Sequence, residues 1–180
     1  GPENTPYDSG CFIFDMYLPK CFPNEPPKIT LLTTGHGTVR FNPNLYKNGK
    51  VCLSILNTWD GSADKKWQPD LSTIENVLIS IQSFIFVENP YFNERGYGGT
   101  MDTDTVLNKK YNDDIRFNTL KYAINYNLKN LPNGFEELIS THFRLKKDYI
   151  IEKYSKFMEE TIKISKDDWK KELDLFKTLV

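Results

Sequence analysis

Phe41-Asn42-Pro43-Asn44, then Gly49-Lys50-Val51-Cys52-Leu53-Ser54-Ile55-Leu56, then Trp67-Gln68-Pro69: the first two runs lie inside one irregular stretch, residues 35–67, the third closes it, and their reading decides the fold. Gly, Asn, Pro and Asp crowd that stretch, and no helical or strand period spans it. A loop of this length inside a compact domain is functional or disordered. The apolar run from Val51 to Leu56 argues that it is packed. Cys52 therefore lies in a packed loop, whereas Cys11 and Cys21 read as ordinary strand or loop thiols.

Upstream, the chain reads as strand and turn. Phe12, Phe14, Met16 and Leu18 alternate with Asp15 and Tyr17, a period of two that predicts a half-buried strand. Pro19, Pro23, Pro26 and Pro27 interrupt any sheet interior, and residues 28–33 predict a second strand closing a hairpin. Downstream, helices take over. Ile74, Val77, Leu78, Ile81 and Ile85 predict a largely buried helix over 71–87, capped by Ser72 or Thr73. A second is predicted over 104–128 with Leu107, Tyr111, Ile115 and Tyr122 on one stripe. A third opens at Pro132-Asn133, with Asn133 and Glu136 as a capping box. Phe135, Leu138, Ile139, Phe143, Tyr149, Ile150, Tyr154 and Phe157 form its core stripe. Ser165 with Asp168 starts a last helix carrying Trp169, Leu173 and Phe176.

Composition narrows the function classes. The 180 residues suffice for one core plus a helical extension, and 39% apolar with 26% charged residues is ordinary for a globular protein. A net charge of −1 and the lack of any Lys/Arg run exclude nucleic-acid binding driven by phosphate neutralisation. Three unpaired-looking cysteines predict reduced thiols in the cytoplasm or nucleus. No Cys-x-x-Cys is present and the histidines are only His36 and His142, so neither a metal site nor a cofactor is expected. No apolar run is long enough to span a bilayer, and no signal-peptide pattern is visible.

The three runs, taken in order, resemble the ubiquitin-conjugating enzyme family. That family carries His-Pro-Asn, then Gly-x-Ile/Val-Cys-Leu-x-Ile-Leu, then Trp-x-Pro, and the spacing from Asn44 to Cys52 reproduces its interval from asparagine to cysteine. The opening Gly1-Pro2, Thr5-Pro6-Tyr7 and Gly10-Cys11-Phe12, the proline loop Phe22-Pro23 to Pro26-Pro27-Lys28, and Asn89-Pro90 fall where the family has their like. The likeness runs from Gly1 to about Leu128. Asn89-Pro90-Tyr91-Phe92-Asn93-Glu94 with Gly96-Tyr97, and Thr58-Trp59 with Lys66-Trp67, resemble the large hybrid conjugating enzyme/ligases in particular.

The resemblance implies an α+β fold, UBC-like: an antiparallel sheet meander with helices on one side. Residues 1–128 would form the conjugating core and 129–180 a C-terminal helical extension packed on it. The family's usual first helix and strand are lacking here, so the resemblance implies either a fragment of a longer protein or a fold whose C-terminal helices cover the gap. The implied function is to accept ubiquitin, or a ubiquitin-like modifier, from an activating enzyme as a Cys52 thioester and pass it to a substrate lysine. Further expected partners are a ligase or substrate-recruiting domains in the same longer chain.

The chemistry fits the residue types. Acyl transfer needs a thiolate that accepts an acyl group and later yields it to an amine. Amine attack builds an oxyanion, and one aimed amide donor stabilises such a charge by about 2.7–4 kcal/mol. Two readings stand for Asn44: that donor, or a brace bonding loop backbone. Asn42 replaces the family's loop-tying histidine and can likewise donate and accept. Leu53 matches the family pattern, and Ser54 replaces a common acidic residue. The acidic residue usual after Asn-Pro is missing, and Asn93 or Glu94 is the candidate to take its place. Residues 53–66 are longer than in minimal members; Asp60 and Asp64 there either attract a lysine or form a solvated surface loop. By resemblance, Ile79 and Ser83 contact the donor ubiquitin, with core packing the other reading of Ile79. Phe22, Pro23, Trp67 and Pro69 meet ligases, with a packing anchor the other reading of Trp67. Phe22-Pro23 is a candidate cis bond. The rival functions are a non-catalytic ubiquitin- or partner-binding module, and a cysteine hydrolase pairing Cys52 with His36 or His142.

Overall fold

The computed structural model describes residues 1–94 and 105–180, which fall into two compact units, Phe12–Tyr97 and Gly1–Cys11 with Gly98–Val180. Gly96-Tyr97, and the Asp104 start expected for the second helix, lie outside the described residues.

In the first unit, β1 (Phe14–Tyr17) pairs antiparallel with β2 (Lys28–Leu31), Phe14 opposite Leu31 and Tyr17 opposite Lys28. The period-two pattern holds within the strands: Phe14 and Met16 are half-buried, Ile29 and Leu31 buried, and Asp15, Tyr17, Lys28 and Thr30 exposed, whereas Leu18, expected on the inner face, lies past the end of β1 and is exposed. The hairpin's proline loop contains the cis Phe22–Pro23 bond. A third extended segment borders β2 through the Thr30–Lys50 bridge and the bond from Leu31 N to Gly49 O at 2.8 Å, extending the meander. Gly49 is required there. Its φ is +87°, and a Cβ would stand 2.6 Å from Leu31 O. Phe12 meets Phe41 edge-on at 5.1 Å and Phe86 at 4.7 Å, joining the strand side to the helix that follows.

That helix is shorter and less buried than its composition suggests. Thr73 caps α1 (Ile74–Ser80) in a capping box with Asn76, and one π turn continues over Ile81–Ile85. Val77, Ile81 and Ile85 form a single buried stripe at i, i+4 spacing. Leu78, expected inside, is exposed with Leu71, Ile79 and Phe84. The stripe is only one residue wide, so apolar neighbours one position away point to solvent.

In the second unit, α2 (Val106–Asn118) continues as a π-helical stretch over Thr119–Tyr126 and ends in α3 (Asn127–Lys129). Leu107 is exposed, contrary to its expected place on the core stripe, because Thr105 caps the helix in a register that turns Asn108, Asn112 and Ile115 inward. The expected third helix is two: α4 (Glu136–Leu145) and α5 (Lys147–Glu160), broken at Lys146. Asn133 does not cap α4; Phe135 occupies that position with no side-chain bond. Phe135, Leu138 and Tyr149, expected on the core stripe, are exposed, while Ile139, Phe143, Ile150, Tyr154 and Phe157 enter the core. Ser165 caps α6 (Lys166–Leu179) as expected, accepting from Asp168 N, and Trp169, Leu173 and Phe176 are buried. These helices share one core with Leu120 and Ile124. Full burial of each of its large side chains contributes about 1.5–3 kcal/mol. The opening segment belongs to this unit through Asp8, whose main-chain oxygen accepts from Tyr154 Oη at 2.7 Å and whose carboxylate accepts from Tyr149 Oη at 2.9 Å.

The fold is therefore α+β: a small antiparallel sheet, helices, and a set of C-terminal helices beyond them.

Candidate active site

Cys52 stands on the extended segment that Gly49 admits to the sheet edge, just before a 3-10 turn at Ser54–Leu56. Its backbone is tied on both sides. Cys52 N donates to Asn44 O at 2.9 Å, and Asn44 Nδ2 returns a bond to Cys52 O at 2.9 Å. Thr58 brackets the residue: its hydroxyl donates to Val51 O at 2.7 Å and accepts from Leu53 N at 3.0 Å. Leu53 is buried beside it, and Ser54 Oγ donates to Asp60 O at 3.2 Å, pinning the longer loop.

Asn42 ties the preceding turn. It is fully buried; its Oδ1 accepts from Asn44 N at 2.8 Å and Asn93 Nδ2 at 3.3 Å, while its Nδ2 donates to Ile85 O at 2.8 Å. Asn93 also donates to Phe84 O at 2.8 Å. The two carbonyls come from the last turn of the π stretch, where no further helical N–H follows to claim them. Glu94 pairs with Arg40 at 3.4 Å, and Arg40 donates to Pro43 O at 2.5 Å. Asn93 and Glu94 thus both hold the turn that carries Asn42 and Asn44.

The Cys52 residue is 2% exposed, and it lines a pocket of about 500 Å³ with Tyr46, Lys50, Thr58, Asp60, Lys66 and Glu94. Burial pushes its thiol up from the ordinary cysteine range, and the nearby cations of Lys50 and Arg40 oppose that shift. Asn44, Leu53 and Ser54 border a second pocket of about 470 Å³ with Trp59, Ser80 and Phe84. The Asn44 amide is spent on bracing Cys52 in this conformation, and its buried Oδ1 has no hydrogen-bond partner among the described residues. Neither histidine lines the thiol pocket. His36 sits in a left-handed turn between Gly35 and Gly37, and His142 Nε2 bonds Ser9 O at 3.0 Å. Among the described residues no cluster of His, Cys, Asp or Glu is arranged to hold a metal ion, and no helix is long and apolar enough to cross a membrane.

The remaining expected site residues lie apart from the thiol pocket. Trp67 is buried, its ring lies 5.7 Å from that of Phe22 with the planes tilted by 46°, and its Nε1 donates to Pro23 O at 2.6 Å. Pro23 and Pro69 are exposed beside it. Ile79 is exposed, as is Ser83. Sequence reading passed over the parts played by Thr58, Tyr46 and Arg40. Their roles depend on folded-back backbone and on pocket walls, which leave no periodicity or motif.

A model of the family described as ubiquitin-conjugating enzyme matches residues 1–116. A probable ubiquitin-conjugating enzyme E2 of Acanthamoeba polyphaga mimivirus is 47% identical over 176 residues, covering 97% of this chain and 12% of that protein. The human dual E2 ubiquitin-conjugating enzyme/E3 ubiquitin-protein ligase BIRC6 is 45% identical over 169 residues, 93% of this chain and 4% of that protein. Probable ubiquitin-conjugating enzyme protein 17 of Caenorhabditis elegans is 45% identical over 170 residues, 93% of this chain and 23% of that protein. The chain thus spans less than a quarter of the length of each of these relatives. Identity at this level across nearly the whole chain, helices beyond residue 116 included, means that it belongs to the ubiquitin-conjugating enzyme family, closely related to the hybrid E2/E3 enzymes.

Proposed function

We propose that Cys52 accepts the C-terminal acyl group of ubiquitin from an activating enzyme and delivers it to a lysine amine of a substrate. The observation that carries this reading is the placing of Cys52, its backbone clamped by Asn44 and Thr58, on the wall of an open pocket. Clamping holds the thioester at a fixed point for an incoming amine, which removes much of the entropic cost of attack. Asn44 serves the transfer by turning its amide N–H toward the developing oxyanion. Asn42, Asn93 and the Arg40–Glu94 pair hold the turn on which Asn44 stands. Ile79 and Ser83 offer the exposed surface for the donor ubiquitin, and Phe22, Pro23, Trp67 and Pro69 form the ligase-facing end. Residues 129–180 act as a helical extension of a core over 1–128. Substrate recruitment falls to other parts of a longer protein, working in a reducing compartment where the cysteines stay free.

Two observations favour a second reading, a non-catalytic ubiquitin- or partner-binding module. The 2% exposure of Cys52 and the commitment of the Asn44 amide to a backbone carbonyl both suit a scaffold. Incubation with activating enzyme, ATP and ubiquitin separates the two. The enzyme gives a reductant-sensitive adduct that Cys52→Ser abolishes; the module gives none while still binding ubiquitin.

A further inference from the structure

The helix α4 leaves a line of large apolar side chains in solvent. Phe135, at its N-terminal boundary, is 54% exposed, Leu138 66% and Leu145 79%, while Ile139 and Phe143 supply the core from another face. Leu138 and Leu145 stand seven residues apart, so they fall within about 20° of each other around the helix axis. Phe135 adjoins Leu138 at i, i+3 spacing. Single exposed apolar residues need no explanation, but a contiguous strip of them marks a contact surface.

A charged line runs beside the strip. Glu137 and Arg144 are exposed, are also seven residues apart, and each directly precedes one of the two leucines. Neither makes an ion pair among the described residues. An acid in the first turn and a base in the last suit the helix's own dipole. That accounts for the charges and not for the leucines next to them. Thr141, half-buried, lies midway along both lines.

We propose that α4 is a self-association surface, packed antiparallel against α4 of a second copy of this chain around a two-fold axis near Thr141. The register follows from the spacing. Such an axis sets Leu138 against Leu145 of the second copy, and Glu137 against its Arg144. A two-fold interface makes every contact twice, so two opposite-charge pairs form. A parallel pairing would set Glu137 on Glu137 and Arg144 on Arg144, which repel. The charges therefore choose the direction, and the apolar strip supplies the attraction. Three large side chains per copy make a small contact, so the association is weak and depends on concentration. No residue of α4 lines the Cys52 pocket, and the surface stands apart from the proposed transfer.

The test is sedimentation equilibrium of the 180-residue chain, loaded from about 10 µM to about 1 mM. A monomer–dimer equilibrium is expected. Leu138→Asp should weaken it by about tenfold or more, with an unchanged thermal melt in dilute solution because the residue is exposed. Glu137→Arg and Arg144→Glu should each weaken self-association by about fivefold. Mixed in equal amounts, these two variants should associate at least as well as the native chain, since a basic line then meets an acidic one. The double variant should recover native association even though it opposes the helix dipole at both ends, which separates pairing between copies from helix stability. A chain that stays monomeric throughout, or a dimer that ignores Leu138→Asp, overturns the inference and leaves the strip to a different polypeptide. A dimer that needs Leu138 but is not restored in the double variant overturns it too, because the apolar contact then forms without the antiparallel register.

Discussion

The side-chain nitrogen of Asn44 lies 2.9 Å from the carbonyl oxygen of Cys52, eight residues further along the chain. One amide thus braces the residue whose thioester it would serve. Asn44→Ala removes the brace and the donor together. The unpaired buried carbonyl should cost about 1–3 kcal/mol of stability, read from urea melts. Single-turnover discharge of charged Cys52 to free lysine should slow by about 100-fold or more, the usual loss for one oxyanion donor. Asn44→Asp keeps the shape without the N–H and should match Ala in discharge. If Asp discharges at the native rate, the amide is a brace alone.

Asn42 serves three backbone or amide partners from a fully buried position. Asn42→Ala strands Ile85 O and Asn44 N and opens a small cavity. A loss of about 2–4 kcal/mol is expected from chemical denaturation. Asn42→His, whose imidazole can both donate and accept, should lose less than Ala does. Equal losses would mean that amide geometry, rather than hydrogen-bonding capacity, is what the turn requires.

These two positions also mark what the sequence disclosed. The interval from Asn44 to Cys52, the capping residues Thr73 and Ser165, and the alternation through Phe14 to Tyr17 are local signals, and each element stands where they place it. Signals failed where packing chose between equivalent apolar residues. Leu78 and Leu107 look as buriable as Val77 and Ile115, yet stripe width and cap register leave them in solvent. The break at Lys146 has no Pro or Gly to announce it. Asn44 was legible as important, but which of its two readings holds depends on a carbonyl that only the folded loop brings near. The Thr58 bracket arises because the chain doubles back after the 3-10 turn at Ser54–Leu56, and nothing local encodes such a contact.

Tyr149 tests the anchoring of the opening segment to α5. Burial, then its hydrogen bond to the Asp8 carboxylate, pushes its phenol up to about 12. An unfolded tyrosine titrates near 10. The folded state holds the proton longer, so the stabilisation is fully present below the unfolded value. It drains away as pH climbs from there through the folded value. Ultraviolet titration of phenolate absorbance should show a late tyrosine that Tyr149→Phe removes. The same variant should lose up to about 1 kcal/mol at neutral pH, because the ring is 36% exposed and water screens its bond to the carboxylate. A midpoint near 10 for this ring would show that Asp8 does not hold it.

Cys52 provides the last test, because its thiol is raised by burial while Lys50 and Arg40 pull the other way. Alkylation by iodoacetamide, followed peptide by peptide to separate Cys52 from Cys11 and Cys21, should show a midpoint above the ordinary cysteine value of about 8.5. Lys50→Glu exchanges a favourable charge for an unfavourable one and should move that midpoint higher. Arg40→Gln should move it in the same direction, with added loss of loop order because Arg40 also holds Pro43 O and Glu94. Linkage fixes the sign for stability. Above the unfolded thiol's value the unfolded chain has released a proton that the native chain still holds, so stability falls as pH rises there. Cys52→Ser should flatten that part of the pH–stability curve. A Cys52 midpoint below the ordinary value would mean that the cations outweigh burial.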